Sequence, residues 1–118
     1  MTDPIYKLAD RKAWAEARAS GAYEGSAVDR ADGYIHMSTA AQLAETARRH
    51  YAGRDRLVLA AIDPTALGEG LRWEASRGGD LFPHLYGPLP LSAALSERAL
   101  SVAGDGTMTF DDGATGWP

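Results

Sequence analysis

Arg56-Leu57-Val58-Leu59-Ala60-Ala61-Ile62, followed at once by Asp63-Pro64, sets the architecture of this chain. An almost unbroken apolar run of this length suits a β-strand covered on both faces, and proline ends it because it cannot continue a hydrogen-bonded ladder. The run is therefore expected at the centre of a sheet. Upstream of it, Thr39 and Gln42 form a capping-box pattern that opens a helix. In that helix Ala40, Leu43, Ala44, Ala47 and Tyr51 recur at helical spacing, Glu45 and Arg49 pair on the other side, and Gly53 closes the segment. Tyr34-Ile35-His36-Met37-Ser38 reads as a strand, and Tyr23 to Gly33, with Gly25, Ser26, Asp29 and Asp32, as a structured loop. At the start, Ile5-Tyr6-Lys7-Leu8 is a short strand. Asp10 then caps a helix that carries Trp14 and Ala17 on one face and stops at Gly21.

Downstream, Leu71 to Ala75 and Phe82 to Tyr86 read as short strands around a Gly78-Gly79 loop, and Leu95 to Val102 as a longer one. Asp105-Gly106 marks a hairpin turn before Met108. The order of elements, helices early and strands late, predicts an α+β fold with two main helices and small mixed or antiparallel sheets. Residues 1–110 are expected to form one domain and 111–118, polar and glycine-rich, a flexible C-terminal tail.

Composition narrows the function classes. A chain of 118 residues, 45% hydrophobic and 24% charged, has the balance of one globular domain. It contains no cysteine, so disulfides, thiolate nucleophiles and cysteine metal sites are excluded. The net charge of -4 argues against duplex nucleic acid as the main partner, because phosphate neutralisation needs a basic face. No apolar stretch approaches the roughly 20 residues of a membrane helix, and the N-terminus lacks the pattern of a secretion signal. A cytoplasmic location is expected, with a small molecule rather than a membrane as partner.

Strand parity suggests where chemistry could lie. If Ile35 and Met37 face the core, Tyr34, His36 and Ser38 share the opposite face. Likewise Arg72, Glu74 and Ser76 lie on one side of their strand, opposite Leu71, Trp73 and Ala75, which assigns Trp73 to the core. Phe82, His84 and Tyr86 share a side. Arg77 offers a fork of donors for phosphate or carboxylate, and Gly78-Gly79 could bring backbone amides close to an anion or simply form a turn. His36 fits either an interior histidine or a ligand contact, and His84 either a turn or a hydrogen bond to a ligand. His50, in the last turn of its helix, complements the helix dipole. The two histidines with Glu74 could form a facial metal triad, although their spacing is not diagnostic. Ser26, Ser38 and Ser76 lack a nucleophile-elbow sequence, which disfavours serine hydrolysis.

Four blocks in order carry a family resemblance: Ile5-Tyr6-Lys7; Asp32 through Thr39; Trp73-Glu74-Ala75-Ser76-Arg77-Gly78-Gly79; and Phe82-Pro83-His84-Leu85-Tyr86-Gly87. Together they resemble the bacterial domain of unknown function 952, from about Ile5 to Val102. That family's fold resembles the ADP-ribosyltransferase fold, small sheets around an NAD-binding cleft, and within it the RNA 2'-phosphotransferase branch. Ile35-His36-Met37-Ser38 is similar to the valine-histidine-leucine-serine motif of that branch. Tyr6 fits its tyrosine-histidine-glycine-threonine motif, while Lys7 stands where the histidine that grips NAD would be.

The resemblance implies NAD as a possible substrate and ADP-ribosyl or 2'-phosphate transfer as the reaction. In it Glu74 would hold a ribose hydroxyl and polarise the nicotinamide-ribose bond, with His36 and His84 completing the catalytic set. Tyr6, Lys7, Ser26, Ser38, Thr39, Ser76, Arg77, Gly78, Gly79 and Tyr86 are the expected ligand-binding residues. The competing expectation is a non-catalytic ligand-binding or interaction module that kept the fold and lost the transfer, which the Lys7 departure favours.

Overall fold

A computed structural model describes residues 2–117, with the Arg77 side chain outside the described part. In chain order the elements are β1 (Ile5–Asp10), α1 (Arg11–Ser20), β2 (Ala22–Tyr23), α2 (Ala27–Asp32), β3 (Ile35–His36), α3 (Ala40–His50), β4 (Leu57–Ile62), β5 (Leu71–Ala75), β6 (Leu81–Leu85), β7 (Leu89–Pro90), β8 (Ala94–Val102) and β9 (Met108–Phe110). Among the described residues the strands form one sheet in the order β1-β4-β8-β9, a second in the order β3-β6-β5, and a short pair, β2-β7. Every ladder in them is antiparallel.

The apolar run behaves as expected, since all six residues of β4 are buried. Its alternating side chains serve two separate cores. Val58, Ala60 and Ile62 join Trp14 and Ala17 of α1, Tyr23, Ile35, Leu85 and Leu89 on one face of the large sheet. Leu57 and Leu59 join Leu43 and Ala47 of α3, Leu100, Val102, Met108 and Phe110 on the other. A strand so sandwiched has no solvent face, which is why its sequence lacks alternation. Each large side chain fully withdrawn from water here contributes about 1.5–3 kcal/mol. β1 splits the same way: Ile5 and Ala9 enter the first core and Leu8 the second. By parity the Lys7 side chain goes with Ile5 and Ala9, into the interior.

The helices start and stop on local signals. Asp10 accepts the Ala13 amide at 3.0 Å to cap α1, and Gly21, at φ 95°, ends it in the left-handed conformation. Thr39 and Gln42 form the expected reciprocal box on α3, and Glu45 takes the Arg49 guanidinium at 2.7 Å. α3 ends at Tyr51 rather than at Gly53, whose amide instead donates to Val102 O at 3.0 Å.

Several expectations are corrected. Tyr23 to Gly33 is not a loop throughout, because Ser26 and Asp29 form a second capping box and open α2, which Gly33 closes at φ 88°. The stretch Tyr34 to Ser38 is not one strand: Ile35 and His36 pair with β6, while Ser38 crosses to bridge Tyr6 of β1. Trp73 keeps the parity of Leu71 but is 46% exposed, because the end of β5 projects beyond the core that Leu71 reaches. The C-terminal segment, expected as a flexible tail, makes contacts as far as Trp117. The Trp117 ring meets Tyr6 edge-on at 5.1 Å, and its Nε1 donates to Ala40 O at 2.8 Å. No helix among the described residues is long and apolar enough to cross a membrane.

Candidate functional site

The β3-β6-β5 sheet brings the polar members of three segments onto one face. His84 lies opposite His36 on one side and opposite Arg72 on the other. Glu74, two residues beyond Arg72, therefore shares the face, as does Tyr86 beyond His84. Tyr34 covers the group: its ring stacks on His84 at 4.2 Å and lies 4.6 Å from His36 and 5.2 Å from Tyr86. The Arg72 guanidinium sits over the Tyr86 ring at 5.2 Å.

Glu74 organises the outer part. Its Oε1 accepts both His84 Nδ1 and the Tyr86 hydroxyl, each at 2.8 Å. These two bonds, His84 first, hold the Glu74 carboxyl below its ordinary range. Hydrogen bonding to the same carboxylate raises the Tyr86 phenol, and burial, with Asp32 and Glu74 nearby, raises that of Tyr34. Because a carboxylate only accepts, Nδ1 of His84 must carry a proton, which leaves Nε2 as the acceptor of the neutral ring. Neither Nε2 of His84 nor Oε2 of Glu74 takes a hydrogen bond among the described residues. Among the described residues the dyad is held by hydrogen bonds on one side only.

Asp29 organises the inner part. Its Oδ1 accepts the His36 main-chain amide at 3.1 Å and faces His36 Nδ1 at 2.6 Å. Its Oδ2 accepts the Ser26 amide and Lys7 Nζ, both at 2.9 Å. Burial pushes this carboxyl up, but the His36 bond, the Lys7 charge and the Ser26 amide outweigh it and hold the group well below the carboxylate range. The Lys7 ammonium is pushed down by burial against the pull of Asp29. The difference between the partners has a cause: Asp29 gathers several donors, whereas Lys7 has one carboxylate, shared with His36, and the His36 carbonyl at 3.0 Å. The far nitrogen of His36, Nε2, faces Asp32 Oδ2 at 2.9 Å. With a carboxylate at each ring nitrogen, both contacts are hydrogen bonds only when the ring carries both protons.

Of the residues expected from sequence, His36, Glu74, His84 and Tyr86 come together. The others have different surroundings. Lys7 is buried behind His36 in its ion pair with Asp29. Tyr6 packs on the opposite core with Trp117. Ser38 is 3% exposed, its hydroxyl 2.9 Å from that of Thr46, because the crossing to β1 turns it inward, away from the polar face expected for it. Ser26 and Thr39 serve as helix caps. Ser76, Gly78 and Gly79 form the β5-β6 turn, where the Gly79 amide donates to Ser76 O and the Ser76 amide to Asp80 O. Those two amides are therefore committed within the turn. The expected role of Arg77 concerns a side chain outside the described part.

Sequence reasoning missed Asp29 and Asp32 as site residues, and it put Tyr34 and Arg72 on the polar faces of their strands without giving them a role. Ser26 followed three residues later by Asp29 was a readable capping-box signal for the first of them. The metal alternative finds no cluster: among the described residues no group of three or more histidine or carboxylate side chains is placed to hold an ion.

The arrangement defines a compact α+β protein of antiparallel sheets with a histidine, carboxylate and tyrosine face. The chain belongs to the family described as Protein of unknown function (DUF952), which matches residues 8–97. It is similar to Protein CC0527 from Caulobacter crescentus: the X-ray crystal structure aligns at 50% identity and TM-score 0.84, over 89% of this chain and 92% of that one. The crystal structure of a double mutant of CC0527 aligns at 48% identity with the same TM-score and coverage. The solution NMR structure of CC0527 aligns at 50% identity and TM-score 0.76, over 87% and 89% of the two chains. No curated protein matches the chain.

Proposed function

We propose that the face built by Glu74, His84, Tyr86, His36, Tyr34 and Arg72 is a site for a small nucleotide-like ligand, with NAD its most specific form. The observation that carries this reading is the open side of the dyad. Glu74 Oε1 is locked by two donors while Oε2, and Nε2 of His84, have no partner among the described residues. A half-buried carboxylate held this way can accept a ribose hydroxyl, and Nε2 of the adjoining neutral imidazole can accept a hydrogen bond or a proton. Tyr34 and Tyr86 offer aromatic faces to a base, and Arg72 offers donors to phosphate.

The resemblance to the ADP-ribosyltransferase fold supports the NAD form. In that chemistry the bond between ribose C1' and the nicotinamide nitrogen breaks, its electron pair leaving with nicotinamide, and an acceptor oxygen bonds to C1'. The proton of the acceptor would pass to His84 Nε2, and Glu74 would hold the ribose hydroxyl.

A second reading, a non-catalytic binding or interaction module, is favoured by Lys7. Where the resemblance calls for a histidine gripping NAD, this chain has an ammonium sealed in an ion pair with Asp29.

Titration calorimetry with NAD, paired with a nicotinamide-release assay on the wild type and Glu74→Gln, separates these readings. The transferase form expects saturable heat and release, with Glu74→Gln losing release while keeping affinity. Binding without release from either protein identifies the module. Absence of heat with both NAD and ADP-ribose overturns the nucleotide site.

A further inference from the structure

A hollow of about 240 Å³ is bordered by the end of β1, by Tyr23, by the Gly25–Ala27 approach to α2, and by Arg30, Tyr51 and Arg54. Its volume exceeds the roughly 30 Å³ share of one water several times over. Two of its rim groups are guanidiniums, from Arg30 and Arg54, and neither has an ion-pair partner among the described residues. Arg54 rests over the Tyr51 ring at 5.1 Å, which steadies it without neutralising it. The single carboxylate on the wall, Asp10, is partly engaged in capping α1 through its bond from the Ala13 amide.

The observation that points to a ligand is Tyr23. Its side chain is buried to within 3% exposure and packs on Trp14 at 5.3 Å, yet its hydroxyl has no hydrogen-bond partner among the described residues. Tyr23 lines this hollow together with Arg30, Tyr51 and Asp10. Burial, chiefly, keeps the phenol protonated well above its ordinary range, and it remains a donor at any physiological pH. A hydroxyl at the wall of a hollow with no partner among the described residues is available to donate to whatever enters it. The Arg30 and Arg54 guanidiniums on the rim of the same hollow favour an anion, and their planar forks suit phosphate oxygens.

We infer that this hollow is a second ligand site, separate from the histidine face, which takes the phosphate group of a small molecule between Arg30, Arg54 and the Tyr23 hydroxyl. The inference does not rest on the nucleotide reading above.

The test is a titration of the full chain with inorganic phosphate and, separately, with ribose 5-phosphate, followed through the amide resonances of Gly25, Ser26 and Ala27 at constant ionic strength set with chloride. Saturable shifts in these amides are expected, with Arg30→Gln/Arg54→Gln weakening binding by about tenfold or more and Tyr23→Phe by a smaller factor. Tyr23→Phe retains the ring against Trp14, so its thermal melt should stay near wild type and its effect reads the hydroxyl alone. Tighter binding of ribose 5-phosphate than of phosphate assigns the site to a phosphorylated metabolite, and equal binding assigns it to free phosphate. Shifts that do not saturate, or that persist unchanged in the double arginine variant, overturn the inference.

Discussion

Lys7 Nζ lies 2.9 Å from Asp29 Oδ2 in a pair whose side chains are 3% and 2% exposed. The bond joins β1 of the large sheet to α2, and through His36 it reaches the small sheet. Removing one member of a buried pair leaves an uncompensated charge, at a cost of about 3–5 kcal/mol. Lys7→Met should show a loss of that order in urea unfolding. Asp29→Asn should cost more, because Asp29 also accepts the Ser26 amide and meets the His36 main-chain amide and ring Nδ1. Equal losses, or the reverse order, would show that Asp29 is not the hub the hydrogen bonds make it.

The same carboxylate sets an acid limit. Asp29 is held well below its ordinary value, so the unfolded chain binds its proton more readily than the folded one. Its contribution is complete above the unfolded value of about 4 and is lost as pH falls toward and through the folded one. Stability should therefore decline on acidification below about pH 4, and the decline should be shallower in Asp29→Asn. Glu45, lowered to about 2 by Arg48 and Arg49, is far from the substitution in sequence and is present in both proteins, so the difference between their curves isolates Asp29. Carbon-detected titration of the Asp29 carboxyl offers a direct check, and an ordinary titration would refute the assignment.

At the histidine face, Glu74 and Tyr86 should betray each other's presence. The hydrogen bond lowers the carboxyl and raises the phenol. Tyr86→Phe should move Glu74 upward toward its ordinary value, with a larger move when His84 is replaced, since His84 is the first cause of the shift. Glu74→Gln should bring the Tyr86 phenol back down, read by ultraviolet titration. An unchanged Glu74 titration in both variants would mean that the dyad does not form in solution.

Legibility in the sequence followed burial. The β4 run, the Asp10 and Thr39 caps and the Asp105-Gly106 turn each carry a local signal, and each was read correctly. Parity also grouped His36, Glu74, and His84 with Tyr86 on the polar sides of three separate segments, and the pairing of β3, β6 and β5 brings those sides together. Parity failed for Ser38, where the chain leaves one sheet for another after His36, and for Trp73, where the strand outruns its core. Lys7 shows a deeper limit. A lysine on a strand gives no sign that an aspartate 22 positions later will draw it inside. Tyr34 was assigned to the polar face, but nothing local marked it as the ring that stacks on His84.

The C-terminal segment offers a test of order. Trp117 gives an edge-on contact to Tyr6 and a hydrogen bond to Ala40 O. An aromatic pair and one such bond together are worth roughly 1–3 kcal/mol. Trp117→Ala should lower stability by that amount in thermal unfolding and speed amide exchange at Thr115 and Gly116. No change in either would return the segment to the flexible tail that its composition suggested.

Two glycines flanking α2 separate strain from collision. Gly33 has φ 88° and open space around a would-be Cβ, so Gly33→Ala meets only the left-handed penalty of about 1–2 kcal/mol. Gly25 has φ 103°, and there a Cβ would stand 2.8 Å from the Asp29 Cβ and 3.3 Å from its Oδ2. Gly25→Ala must therefore displace Asp29 as well as strain the backbone, and Asp29 is fixed by Lys7, Ser26 and His36. Its loss in urea unfolding should exceed that of Gly33→Ala, and the His36 ring resonances should shift in Gly25→Ala alone. If the two alanine variants lose the same stability and leave His36 undisturbed, the carboxylate is free to yield, and the rigid junction between β1, α2 and β3 described above does not exist.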